Sequence, residues 1–167
     1  TTENIDVSSD IDRVVSEAQY LIFAVPSAFL KSALSKLTIP LNDKVVFSAI
    51  KGIVPDSNQI VGEFFNESHN VPLEQIGVIT GPCHAEEVAL ERLSYLTIAC
   101  LTPEHAEFMA EKLSGDYIRA KTSDDIYGTE FGAVLKNIYA LASGIFHGLG
   151  YGDNFQSVLM SNAIREM

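Results

Sequence analysis

The chain has 167 residues, 47% of them hydrophobic, and sets 11 Lys and Arg against 22 Asp and Glu for a formal net charge of −11. That composition fits a globular chain with a real core and excludes a disordered one, while the acidity excludes sequence-independent binding to nucleic acid, whose phosphates need a basic face. No run approaches the ~20 apolar residues of a membrane span, and the opening TTENIDVSSDID lacks the basic and apolar parts of a signal peptide, so the sequence predicts a cytoplasmic protein.

Taken in order, Ser8-Ser9-Asp10 offers helix caps before the amphipathic spacing of Ile11, Val14, Val15 and Ala18. Tyr20 to Val25 is a continuous apolar run stopped by Pro26, which predicts a strand buried on both faces and therefore parallel. Ser27 to Leu37 resumes helical spacing, and Lys44 to Ala49 is a second buried strand. An amphipathic helix lies within Pro55 to Glu67, a third strand at Gln75 to Thr80, a helix at Pro82 to Arg92 and a fourth strand at Leu93 to Cys100. Pro103 to Leu113 reads as helix and Asp116 to Lys121 as an edge strand. After Asp124 the strand signals stop, and two helical segments follow around a glycine joint at Gly148, Gly150 and Gly152. The alternation predicts an open α/β sheet followed by the beginning of an all-helical domain, with a boundary near Ser123.

In such sheets ligands bind beyond the carboxyl ends of the strands, which directs attention to three exits. After the first strand, Phe29 follows Pro26 within a turn and could lie against a flat cofactor, although packing of the ring accounts for the same spacing. After the second, Lys51 puts a cation beside Gly52, which permits close backbone approach; an exposed loop lysine is the plainer account. After the third, Gly81-Pro82-Cys83-His84-Ala85 forms a turn that opens a helix, where free N–H groups can hold an oxygen-rich ligand. A simple strand-to-helix turn explains those letters equally well.

The helical stretch Thr129 to Gly150 carries the most unusual pattern. Phe131, Val134, Leu135, Ile138, Leu141, Ala142, Ile145 and Leu149 fall on one apolar stripe, expected to be core. The opposite arc holds Thr129, Gly132, Ala133, Lys136, Ala140, Ser143, Gly144 and His147, small or polar residues around one long cation. Such an arc lets another segment come close, which places Lys136 in a crowded, partly dry space. Desolvation disfavours an ammonium, and a lysine so held can serve as a general base. On pattern alone, a lysine reaching solvent at the helix edge has the stronger claim.

Other signals carry less. GLGYGD has the spacing GxGxG rather than GxGxxG and follows a helix, so it reads as a joint. Cys83 and Cys100 are too few for a disulfide framework, and Cys83-His84 lacks the spacing of a chelate, so no metal is predicted.

The succession AVPSAF, SAIKGI, ITGPCHAEEVA, EFGAVLKNIYALASGI and GLGYGDNFQSVLMSNAIREM resembles the NAD(P)-dependent glycerol-3-phosphate dehydrogenases of bacterial type, from about Val7 to the last residue. The resemblance implies an oxidoreductase that interconverts dihydroxyacetone phosphate and sn-glycerol 3-phosphate with NAD or NADP, for glycerophospholipid synthesis, and a homodimer in full-length form. It implies that Lys136 is the proton acceptor and a substrate ligand, and that Lys51 touches both substrate and cofactor. Gly81 and Cys83 match the family's substrate-binding turn, while Phe29, Ala85 and Asn137 match cofactor contacts. With the resemblance, the balance at Lys136 turns toward the catalytic reading.

The same resemblance implies that residues 1–122 are a partial Rossmann-like dinucleotide-binding domain lacking its first βαβ unit, and residues 123–167 the beginning of an all-helical substrate and dimerisation domain. A segment of that kind is expected to be inactive alone. Cys83 departs from the Ser or Thr usual at its position, and a thiol is a weak donor. Two alternatives stay open: a related β-hydroxyacid dehydrogenase, and a non-catalytic fragment whose apolar surface drives self-association.

Overall fold

Asp10 opens the first helix of the computed structural model, which describes residues 5–167; the first four residues of the opening stretch lie outside the described residues. Its side chain accepts the N–H of Arg13 at 3.1 Å, and α1 (Ile11–Glu17) then carries Val15 into the core. Five strands follow as one sheet in chain order: β1 (Tyr20–Phe23), β2 (Val45–Ser48), β3 (Ile76–Thr80), β4 (Ser94–Cys100) and β5 (Ile118–Ser123). The helices between and after them are α2 (Ser27–Leu34), α3 (Val61–His69), α4 (Ala85–Ala89), α5 (Pro103–Leu113), α6 (Ile126–Gly148) and α7 (Asp153–Glu166).

Alternation along β2 divides the core between the two faces of the sheet. Val46 packs with Leu30, Leu34, Phe65 and Ile76 under α1, α2 and α3, while Val45 and Phe47 pack with Ile98, Ala106 and Met109 under α5. Each such side chain contributes about 1.5–3 kcal/mol of burial, so β2, buried throughout, is the strand both layers depend on. This is the two-faced strand that an uninterrupted apolar run predicts.

The structure departs from the sequence reading at β1, at the helix read before β4 and along α6. β1 is parallel to β2 as predicted but is not buried on both faces: it pairs only with β2, at one edge of the described sheet, and Ile22 is exposed. β4 runs antiparallel to β3, with Thr80 opposite Thr97, whereas β1, β2 and β3 are mutually parallel and β4 and β5 are parallel to each other. The cause is the short connection. The helix read over Pro82 to Arg92 condenses to the five residues of α4, and Glu91 at φ 56 turns the chain back at the end of the sheet it had just left. Finally, the apolar stripe of α6 is not core, since Phe131, Ile138, Leu141, Ile145 and Leu149 are exposed. Periodicity identifies an apolar face, but although α6 meets β3, β4 and α7, these five side chains stay 47% to 69% exposed among the described residues.

Candidate active site

Because β1, β2 and β3 are parallel, their exits share one edge of the sheet, and each exit is shaped by its own residues. At the end of β2 the Ser48 hydroxyl accepts the N–H of Ile50 at 3.2 Å, turning the chain so that Lys51 stands exposed. Gly52 follows at φ 128, a conformation that side chains rarely adopt, and a Cβ there would lie 3.2 Å from Ser27 Oγ. The Tyr95 N–H donates to the Pro82 carbonyl at 3.3 Å, tying the exit of β3 to β4, and within the turn the Cys83 N–H donates to the Gly81 carbonyl at 3.0 Å.

Across that edge lies α6. Asp125 caps it by accepting the Gly128 N–H at 2.7 Å, and Ile126 packs against Val78 of β3 and Ala99 of β4. One turn later Glu130, 1% exposed, reaches α3: its carboxylate accepts the Val61 N–H at 2.7 Å and the Gly62 N–H at 3.2 Å. Burial pushes the Glu130 carboxyl up to about 7 against the pull of those two amides, and the nearby charge of Glu63 adds to the rise.

The next face of the same helix forms one wall of a cleft of about 300 Å³, where Thr129, Gly132, Ala133 and Lys136 stand opposite Lys51, Thr80, Gly81 and Thr97. The small residues do open room beside Lys136, as their pattern predicts. The lysine itself is exposed rather than enclosed, because the described wall facing it is limited to the strand ends and to Met167.

Of the residues singled out in the sequence, the cleft thus gathers Lys51, Gly81 and Lys136. Cys83 is half-buried in the adjoining turn, Ala85 is exposed at the first residue of α4, Asn137 is exposed beside Lys136, and Phe29 is 62% exposed in the first turn of α2; none of the four lines the cleft. Sequence reasoning did not single out Thr80 and Thr97, whose hydroxyl-bearing side chains meet only through the antiparallel register, nor Glu130. A lone acid among Gly, Ala and apolar residues was the available signal for Glu130.

Three parallel strands whose exits share one edge, with a following helix across that edge, are the plan of a Rossmann-like layer, in which ligands bind beyond the carboxyl ends of the strands. Models of known families resolve the class further. The chain belongs to the NAD-dependent glycerol-3-phosphate dehydrogenases, the model of the family's N-terminus matching residues 1–106 and that of its C-terminus residues 125–167. It is 38% identical to the glycerol-3-phosphate dehydrogenase [NAD(P)+] of Lysinibacillus sphaericus, over 98% of this chain and 49% of that protein. The protein of the same description from Oceanobacillus iheyensis is also 38% identical, over 98% of this chain and 48% of its own length. The chain therefore spans about half the length of the curated relatives it matches. Among solved structures it resembles the Plasmodium falciparum glycerol-3-phosphate dehydrogenase with a TM-score of 0.84 at 26% identity, covering 95% of this chain and 45% of that one. A structure described as DsGPDH of Dunaliella salina aligns with a TM-score of 0.86 at 25% identity, covering 98% of this chain and 28% of that one.

Proposed function

We propose that the protein carrying this chain interconverts dihydroxyacetone phosphate and sn-glycerol 3-phosphate with NAD or NADP, and that Lys136 is its general acid and base. The observation that carries this reading is the convergence of Lys51, Gly81 and Lys136 on one cleft beyond the strand ends. The curated relatives are named for that activity, and family membership favours it over a β-hydroxyacid dehydrogenase.

The residues present fit a nicotinamide cofactor. Phe29 offers an exposed ring after β1, Lys51 a cation after β2, and Gly52 a backbone that packs against Ser27 where a Cβ would crowd it. Ala85 and Asn137, at the start of α4 and beside Lys136, complete the proposed cofactor contacts. When bound, the nicotinamide accepts or supplies the hydride. Lys136 takes the proton from the secondary hydroxyl in the oxidative direction and returns one to the developing alkoxide in reduction. Lys51 contributes positive charge on the opposite side of the cleft, where an anionic substrate is held. Gly81 and Cys83 bind substrate chiefly through the backbone of their turn, because a thiol donates weakly.

In the same reading, residues 1–122 bind dinucleotide and residues 123–167 begin the substrate and dimerisation domain of a homodimer. The enzyme acts in the cytoplasm to supply glycerophospholipid precursors and has no nucleic-acid partner, in keeping with the charge of −11. Among the described residues no helix is long and apolar enough to cross a membrane. The test is nicotinamide absorbance with dihydroxyacetone phosphate, using the full-length protein beside its Lys136→Ala variant. Oxidation of the reduced cofactor that disappears in the variant is the expected result. An inactive parent removes the reaction, and an active variant removes Lys136 from it.

A further inference from the structure

Glu130 is the one buried carboxylate among the described core residues, and the chemistry proposed above does not use it. Its surroundings are specific. α3 begins after Ile60, a residue with no capping side chain, so its first N–H groups lack the partner that a Ser, Thr, Asp or Asn would supply. Glu130 supplies it from another element, accepting from Val61 at 2.7 Å and from Gly62 at 3.2 Å. Gly62 is fitted to that visitor, since a Cβ there would stand 3.1 Å from Glu130 Oε2. The same end of α6 is held to the sheet one turn earlier, where Ile126 packs on Val78 and Ala99.

These two attachments differ in what they constrain. An apolar contact fixes how near α6 lies to the sheet but tolerates rotation of the helix. A carboxylate aimed at two N–H groups does not, because hydrogen bonds weaken steeply when turned away from their donors. Lys136 lies six residues farther on, about 9 Å along the axis and about 240° around it. Any roll of α6 therefore swings the ammonium across the cleft.

We propose that Glu130 is a positioning residue for Lys136: by capping α3 from the side, it sets the rotation of α6 and holds the lysine opposite Lys51. This rests on the reading of Lys136 as the acid and base. Release of Glu130 leaves the substrate and cofactor contacts of the strand exits in place and lowers the rate of proton transfer.

The test uses the full-length enzyme with Glu130→Gln, Lys136→Ala and the double variant, followed by nicotinamide absorbance with dihydroxyacetone phosphate. Thermal melts in parallel verify folding, and Glu130→Asp serves as a second variant should Gln unfold the protein. The expected result for Glu130→Gln is a kcat lowered ~10-fold or more with a much smaller change in KM for the nicotinamide cofactor, because of its proposed contacts only Asn137 moves with α6 while Phe29, Lys51 and Ala85 stay in place. Added methylamine should restore some turnover to Lys136→Ala, and to the same extent in the double variant, because a free amine needs no helix to aim it. A general structural defect would instead lower the rescued rate as well. Wild-type kcat in a folded Glu130→Gln protein beside an inactive Lys136→Ala overturns the positioning role alone. Losses that multiply in the double variant overturn it too. Full activity of Lys136→Ala overturns both readings together.

Discussion

Gly81 stands directly against the backbone of Tyr95: a Cβ on Gly81 would lie 2.3 Å from the Tyr95 carbonyl oxygen, and the glycine holds φ 133. Both facts follow from the tight return of the chain from β3 into the antiparallel β4. Gly81→Ala therefore meets a steric and a conformational penalty together, neither relieved by moving a flexible side chain. The expected cost is about 3 kcal/mol or more, read by chemical denaturation of the 167-residue chain. A loss under about 1 kcal/mol would show that the turn re-forms around the methyl group.

Glu130 makes stability depend on pH in a definite direction. Its carboxyl titrates at about 7 in the folded chain against an ordinary 4.5. Between those values the folded chain keeps a proton that the unfolded chain has released. Its contribution to stability is therefore fully present below about 4.5 and is lost as pH rises through about 7, a difference of about 3 kcal/mol. The titratable groups on α3, which packs against it, are Glu63, Glu67 and His69, while β3 carries none; among these Glu63 raises the carboxyl further. Denaturation of the wild type and of Glu130→Gln from about pH 4 to about pH 8 should show the wild type losing ground to the variant as pH rises. Parallel curves would refute the linkage.

The Asp125 cap permits a smaller test. Asp125→Ala removes the acceptor of the Gly128 N–H, at 2.7 Å, and should destabilise the chain by about 1 kcal/mol, with Asp125→Asn recovering most of it. Gly128→Ala should fail in the same way, because its Cβ would fall 2.1 Å from Asp125 Oδ2 and push the cap aside. Equal melting temperatures for Asp125→Ala and the wild type would mean that the cap adds nothing to the hold that Ile126 and Glu130 have on this end of α6.

The layout of sheet and helices was legible because it is written in local signals. Pro26 ends a strand run, Pro103 begins α5 at the residue where the helix was read, and the apolar run Lys44 to Ala49 gives the two-faced β2. From those exits Lys51, Gly81 and Lys136 could be gathered, with the family resemblance naming their roles. The direction of β4 was not legible, since Pro82 to Arg92 has the length and spacing of a crossover helix and only its turn at Glu91 reverses the chain. With the direction went the pairing of Thr80 with Thr97, and so part of the cleft wall. Glu130 was hidden for another reason. One acid per few turns ordinarily marks a solvated face, and its partners are backbone N–H groups nearly seventy residues away, which no side-chain pattern records.

The stripe on α6 separates what periodicity identifies from what packing supplies. Leu141 is 68% and Leu149 69% exposed, while Ile126 at the start of the same helix is buried. Equal apolar letters therefore have unequal energetic consequences. Ile126→Ala should cost about 2–5 kcal/mol through the cavity left between Val78 and Ala99, whereas Leu141→Lys with Leu149→Lys should change the stability of the 167-residue chain by no more than about 0.5 kcal/mol. The lysine pair should also reduce apolar-dye binding and concentration-dependent light scattering, because it breaks a contiguous apolar surface. A large stability loss from the lysine pair, comparable with that of Ile126→Ala, would mean that the stripe is covered in solution. Stability unchanged and scattering reduced would identify the stripe as the surface through which copies of the chain associate.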